Sequence, residues 1–250
     1  VAFYPLGDAA LVLQFGEAID EGTLRTIQAV GRYLDQHPFP GLREYVPAFT
    51  TLTVYYDPWV VSQAGQHNPY EAVAKQLNEV LRQMPPAPAD ATGLVVEIPV
   101  CYGGRFGPDL EEVARHTGFT PQEVIRLHTE PIYLVYMLGF APGFPYLGGM
   151  NEQLAAPRKA QPRPLVPAGT VGIAGRQTGI YSLPTPGGWQ LIGRTPRRLF
   201  TPEAAAPTLL HAGQQLRFVP ISAAEFERLS QLETTAKASS PPWEGGARGG

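Results

Sequence analysis

Residues 131–150 read PIYLVYMLGFAPGFPYLGGM, a stretch with no charged side chain in which aromatic residues are mixed with three prolines and four glycines. A membrane span needs about 20 predominantly apolar residues in unbroken helix. Pro142, Gly143 and Pro145 would break one in its second half. The first half, Tyr133 to Leu138, predicts a buried strand. AxGFxYLGG after it predicts a fixed loop, with Phe140, Pro142, Gly143, Phe144 and Tyr146 where backbone and aromatic faces can approach a ligand. The alternative reading of the same stretch is a buried, purely structural loop.

Upstream, DLEEVARHTGFTPQEVIRLH, residues 109–128, predicts two short helices hinged at Gly118, with Thr120 capping the second and Pro121 in its first turn. The arrangement imitates a DNA-reading helix-turn-helix. Its would-be recognition helix, however, offers a groove Gln122, Glu123 and only Arg126 as a cation. Val113, Ala114, Val124, Ile125 and Leu127 instead predict an apolar face packed on the following strand. His128 ends the second helix; it is either a C-terminal cap or an acid/base group facing the AxGFxYLGG loop. Earlier still, VVEIPVCYGG, residues 95–104, predicts a strand. Cys101 near its end has no basic cluster beside it to lower a thiol pKa and reads as a small core residue.

Downstream, Arg158 and Arg163 sit in a proline-rich extended segment that leads to VPAGTVGIAGRQTGIYSLPTPGGWQLIGRTP, residues 166–196. Glycines at 169, 172, 175, 179, 187, 188 and 193 punctuate short alternating runs, the pattern of tightly turned strands in a small closed barrel. Neither GxxxxGK[ST] nor a strand–GxGxxG–helix is present. Arg158, Arg163, Arg176 and Arg194 are candidates for holding a carboxylate or phosphate, because guanidinium is a planar two-pronged donor. Gln177, Thr178 and Tyr181 could supply neutral hydrogen bonds or simply line the barrel. Trp189 could stack on a flat ligand or pack in the core. A last strand, Gln215 to Pro220, and a short helix, Ala223 to Leu232, follow.

The beginning of the chain predicts a separate small domain, residues 1–84, with the order β-α-β-α: strand Ala9 to Phe15, helix Glu21 to Leu34 behind an Asp20 cap, strand Thr51 to Tyr56, and a helix from Tyr70 to Leu81. Residues 85–93 predict a stiff linker, 94–233 the barrel domain, and 234–250 a disordered tail. The fold class is therefore α+β in two domains. The 27 prolines and 27 glycines argue against a helical bundle. A net charge of −3 gives no field to hold a polyanion, so sequence-independent nucleic-acid binding is not expected. One cysteine excludes an intrachain disulfide, and the opening VAFYPLGDAA lacks a basic, then apolar, leader pattern, so the expected location is the cytoplasm, without membrane attachment. No GxSxG, HExxH, CxxC or Ser/Lys amidase pattern is visible, and no metal site is expected. The residues alone describe a barrel pocket without a self-sufficient catalytic set.

LGFAPGFPYLGG, then LAxPRxxxPRxxVPAGTVGIAGxQTGIY, then TPGGWQLIGRTPxxLF strongly resembles the family of 5-oxoprolinase B subunits and kinase A inhibitors, often labelled allophanate hydrolase subunit 1. The resemblance runs from about Tyr4 to Leu229. It implies a cyclophilin-like β-barrel after a smaller α/β domain. It also implies ATP-dependent opening of 5-oxo-L-proline to L-glutamate. That activity is shared with a homologous C subunit, barrel against barrel, and with an A subunit; Mg accompanies the ATP and no biotin is carried on this chain. Substrate or nucleotide contacts would come from the aromatic loop, from Arg158 or Arg194, and from the backbone around Gly169, Gly172 and Gly175, with Gln177, Thr178, Tyr181 and Trp189 nearby. Many members have glycine where this chain has Arg176. Another branch of the family implies a regulatory protein that blocks autophosphorylation of a sensor histidine kinase. A third implied reading is a component of a urea-carboxylase or allophanate-type amide enzyme.

Overall fold

The computed structural model describes residues 1–18, 20–84 and 94–239. These fall into two compact units, one on each side of residues 85–93. The predicted linker, 85–93, and the end of the predicted tail, 240–250, lie outside the described residues.

In the first unit, β1 (Ala2–Pro5), β2 (Ala10–Gln14), β3 (Leu42–Pro47) and β4 (Thr51–Tyr56) form an antiparallel sheet in the order β1-β2-β4-β3. Helix α1 (Glu21–Gln36), the single turn α2 (Pro58–Val61) and α3 (Pro69–Gln83) complete it. Asp20 starts α1 by accepting the Thr23 amide at 2.9 Å, and Asn68 starts α3 by accepting that of Glu71 at 3.3 Å. Leu24, Ile27, Val30 and Leu34 of α1 are buried. Ile27, Val30 and Leu34 share one core with Val73 and Leu77 of α3 and with Leu11, Leu13, Leu52 and Val54 of the central strands. Each such side chain contributes about 1.5–3 kcal/mol on burial. The sequence predicts two strands here and the sheet has four. The added strands are the edges, and they are mostly exposed, so neither AFYP nor LREYVP carries the apolar alternation that marks β2 and β4.

The second unit opens with β5 (Val96–Tyr102), α4 (Leu110–Thr117), α5 (Pro121–Thr129), β6 (Tyr133–Leu138), β7 (Pro145–Gly148) and a 3-10 turn at Glu152–Leu154. It continues with β8 (Arg163–Val166), β9 (Thr170–Ala174), β10 (Gln177–Ile180), β11 (Thr185–Gly187), β12 (Gln190–Arg194), β13 (Gln215–Pro220) and α6 (Ala223–Ser239). Seven strands close into a barrel in the order β10-β7-β6-β13-β5-β12-β9, and β9 pairs back to β10. All pairs are antiparallel except β5 with β13, which run parallel with Val96 opposite Leu216. Strands β8 and β11 form a separate two-stranded ribbon. The barrel core holds Ile98, Val100, Tyr133, Val135, Ile173, Ile192 and Phe218, and α4 and α5 close onto it with Val113, Ala114, Val124 and Leu127.

Three local details set this geometry. Thr120 and Glu123 form a reciprocal capping box that starts α5. Gly118 ends α4 in the left-handed conformation at φ 76°, sending its amide to the Ala114 carbonyl. Gly107 sits so close to β12 that a β-carbon there would overlap the Ile192 carbonyl.

Two expectations are corrected. AxGFxYLGG is only partly a loop: a turn over 139–144 leads into β7, whose Leu147 pairs with Val135 on one side and with Thr178 on the other. With both flanking strands supplying ladder partners, that glycine-rich segment is a central strand. Helix α6 runs to Ser239, through the start of the predicted tail, and Glu233 within it pairs with Arg197 at 2.9 Å.

Candidate functional site

The turn after β6 opens the site. Gly139 accepts the Ala141 amide at 2.7 Å and Ala141 that of Phe144 at 3.0 Å. This tight path leaves Phe140 at φ +65°, in the left-handed region that a bulky aromatic rarely adopts, and 65% exposed. Phe144, by contrast, is buried. It is the hub of edge-to-face contacts with Phe140, Tyr146, Tyr181 and Trp189, with ring centroids 5.3–5.7 Å apart. These rings wall a cavity of about 400 Å³ that the ribbon completes through Pro186, Gly187 and Gly188. Arg158 stands at the same cavity, exposed, and among the described residues it is in no ion pair. Burial raises the Tyr181 phenol pKa, while the Trp189 backbone amide and the Arg158 and Arg163 cations pull it back. The cavity is thus an aromatic box with an available guanidinium, fitted to a small flat ligand that carries a negative charge.

Of the residues singled out in the sequence, the structure brings Phe140, Phe144, Tyr146, Arg158, Tyr181 and Trp189 together here. It does not bring the others. Gly143 belongs to the turn and packs against the Leu199 carbonyl, and Pro142 precedes it without lining the cavity. Gly172 lies within β9, Gly175 makes the β9–β10 turn, and Gln177 opens β10. Gly169 and Arg194 line a different cleft. Arg163 is spoken for: its guanidinium holds Asp109 at 2.7 Å. Arg176 pairs with Glu152. Cys101 is buried, and burial raises its thiol pKa while Arg105 lowers it.

His128 lies in neither place foreseen for it. It is fully buried in the barrel, stacked on Phe218 with centroids 4.5 Å apart, and it does not line the aromatic cavity. Nδ1 is 2.8 Å from the Tyr102 hydroxyl and Nε2 is 2.9 Å from Thr178 Oγ1. Thr178 donates its proton to the Gly172 carbonyl at 3.0 Å. His128 Nε2 must therefore carry the ring proton and donate to Thr178, while Nδ1 accepts from Tyr102. Burial lowers its pKa from 6.5 to about 3. The cap of α5 is Glu130 instead.

Sequence reasoning missed the frame behind the cavity. Asp109 is buried, accepts the Leu191 amide at 2.7 Å, and binds Arg163 and Lys159 at 2.7 and 3.0 Å. It ties the start of α4 to β12 and to the ribbon. Burial raises its pKa, but Arg163, the Leu191 amide and Lys159 together hold it below its ordinary 3.8. A lone aspartate before a helix reads as a cap, so no local signal reported this role. Among the described residues no group of three or more His, Cys, Asp or Glu side chains could hold a metal ion, and no helix is long and apolar enough to cross a membrane.

The fold and site define an α/β protein whose second unit is a closed seven-stranded barrel with flanking helices and an aromatic pocket. The family model described as carboxyltransferase domain, subdomain C and D, matches residues 1–210, and the chain belongs to that family. It is 52% identical over 224 residues to the 5-oxoprolinase B subunit of Bacillus subtilis (strain 168), covering 88% of this chain and 93% of that one. The solved structure of TTHA0988 matches with TM-score 0.74 at 41% identity, covering 86% of this chain; this chain spans 40% of that one. The urea carboxylase of Kluyveromyces lactis, at 18% identity and TM-score 0.70 over 94% of this chain and 23% of that one, shares the fold.

Proposed function

We propose that the chain is one component of an ATP-dependent 5-oxoprolinase which, with a homologous C subunit and an A subunit, converts 5-oxo-L-proline to L-glutamate. The observation that carries this reading is the aromatic cavity with Arg158 beside it, in no ion pair among the described residues. A five-membered lactam is flat enough to lie against Phe144, Tyr181 and Trp189, and its carboxylate matches the guanidinium fork. The similarity to B subunits of 5-oxoprolinases supports the same substrate.

The chemistry requires help from outside this chain. A lactam is an unactivated amide, so attack of its carbonyl oxygen on the γ-phosphorus of ATP, with departure of ADP, creates a leaving group for the later addition of water. The residues here bind and orient the lactam; the cavity supplies no nucleophile. Mg²⁺ would arrive on the ATP phosphates; among the described residues no carboxylate lines this cavity, so protein ligands to it would come from a partner subunit.

The test is ADP release and glutamate formation by this chain assembled with its C and A partners. Lactam-dependent turnover that needs all three is expected. Arg158→Ala should raise KM for 5-oxoproline about 10- to 100-fold with assembly intact, the range for a lost charged hydrogen bond. An intact three-component assembly without lactam-dependent ATP use refutes the reading.

A further inference from the structure

Arg158 reaches the aromatic cavity from residues 157–162, an irregular segment that belongs to no helix or strand, so its aim is set by what its neighbours hold. We propose that Gln190 and Lys159 are positioning residues for Arg158. By pinning the chain on either side of it they present its guanidinium to the cavity, and so set selectivity for a lactam that carries a carboxylate over one that does not. The assignment rests on the lactam reading and deepens it.

The pins are paired around Arg158. Before it, Ala156 exchanges both backbone hydrogen bonds with Gly175, at 3.2 and 2.7 Å, and the Pro157 carbonyl accepts from Gln190 Nε2 at 2.9 Å. After it, the Lys159 amide donates to the Gly188 carbonyl at 2.7 Å. The Lys159 ammonium reaches Asp109 at 3.0 Å and also pairs with Glu112, both at the start of α4. Arg158 itself is exposed and, among the described residues, in no ion pair, so its direction is inherited from these neighbours.

Alternation then assigns the faces, because successive side chains of an extended chain point opposite ways. Trp189 lines the aromatic cavity, whereas Gln190, next in the chain and buried, lines a separate cleft of about 310 Å³ with Pro157 and Glu112. On the facing segment Arg158 lines the aromatic cavity while Lys159 turns away to Glu112. The two residues that face the ligand, Trp189 and Arg158, are thus held from behind by two that do not line the cavity. An arginine on a loose segment would lose backbone freedom on binding; a pinned one has already lost it on folding.

Gln190→Met keeps the length and burial of the side chain and removes the donor. Pro157 is exposed, so its released carbonyl can turn to water, and the substitution also removes Oε1, which has no hydrogen-bond partner among the described residues; the melting temperature should barely change. In the assembled three-component enzyme the variant should raise KM for 5-oxoproline about 5- to 30-fold, the factor for fixing one residue's backbone, with kcat changed far less. In an Arg158→Ala background the same substitution should change KM by about twofold at most. Inhibition by 2-pyrrolidinone, the same ring without the carboxylate, should be unaltered. Lys159→Met should act as Gln190→Met does, and Lys159→Arg should keep the parental KM. Equal losses with and without Arg158, equal losses for both lactams, or an unchanged KM in folded Gln190→Met each overturns the proposal. Hydrogen exchange of the Lys159 amide, which needs no ligand, should quicken in Gln190→Met while the β5 and β13 amides keep their rates; unchanged exchange overturns it as well. A parent enzyme without lactam-dependent ATP use refutes the lactam reading instead, and exchange at Lys159 then still decides whether Gln190 holds the segment.

Discussion

Acidification should unfold the barrel through His128. Its pKa is about 3 in the folded chain against 6.5 when exposed, so between those values the unfolded state binds the extra proton and stability rises with pH. The contribution is complete above about pH 6.5 and is lost as pH falls towards 3. Integrated over the whole interval it is about 5 kcal/mol, and between pH 7 and pH 5 about 2 kcal/mol. Replacing His128 by leucine removes the titration and keeps the packing on Phe218, but leaves the buried Tyr102 hydroxyl without its acceptor, a loss of about 1–3 kcal/mol at pH 7. The deficit of His128→Leu against the parent should therefore shrink by about 2 kcal/mol on going from pH 7 to pH 5. Hydrogen exchange of the β5 and β13 amides, which lie side by side in the barrel, reads that free energy in the unit concerned. Nitrogen-15 NMR of the imidazoles supplies the direct check: His128 should remain neutral, with its proton on Nε2, at pH 5. Parallel pH profiles for parent and variant, or a His128 resonance titrating near 6.5, would refute the assignment.

Asp109→Ala should destabilise the second unit by about 3–5 kcal/mol in urea unfolding, because Arg163 and Lys159 then lose a buried partner. Since the Asp109 pKa is held below 3.8, its stabilisation is present above that value and disappears as pH falls below it; only the parent should show this acid limb. Gly107→Ala forces a methyl group into the Ile192 carbonyl and should cost about 3 kcal/mol or more, seen as a lowered melting temperature or failure to fold. Cys101, buried with a raised thiol pKa, should resist iodoacetamide at pH 8 in the native chain and react promptly in urea; rapid native alkylation would contradict its burial.

The local elements were legible because their signals are local. Asp20 and the 3.6-residue spacing of Leu24, Ile27, Val30 and Leu34 placed α1, and Thr120-Pro121 after Gly118 placed the α4–α5 hinge. The alternating, glycine-punctuated runs after Val166 likewise indicated a barrel of short strands. Edge strands β1 and β3 escaped because they bury too little to show alternation. The start of the predicted tail is helical although its composition is polar, and Glu233 within it pairs with Arg197 outside the helix, a partnership that composition does not encode.

Sequence also gathered the residues of the aromatic cavity, but only as members of a longer set. Which members meet was decided by barrel closure. Phe144, Arg158, Tyr181 and Trp189 come from separate segments and converge because β7 pairs with β10 and the ribbon crosses beside them. Arg158 and Arg163 look alike five residues apart, yet among the described residues one is in no ion pair and the other is bound to an aspartate 54 residues away. His128 finds Thr178 across 50 residues and so becomes a neutral core group. Periodicity, caps and turns are properties of neighbouring residues and are written in the chain. Pairing, burial and the charge state they impose depend on the register in which distant strands meet, and only the folded barrel fixes that.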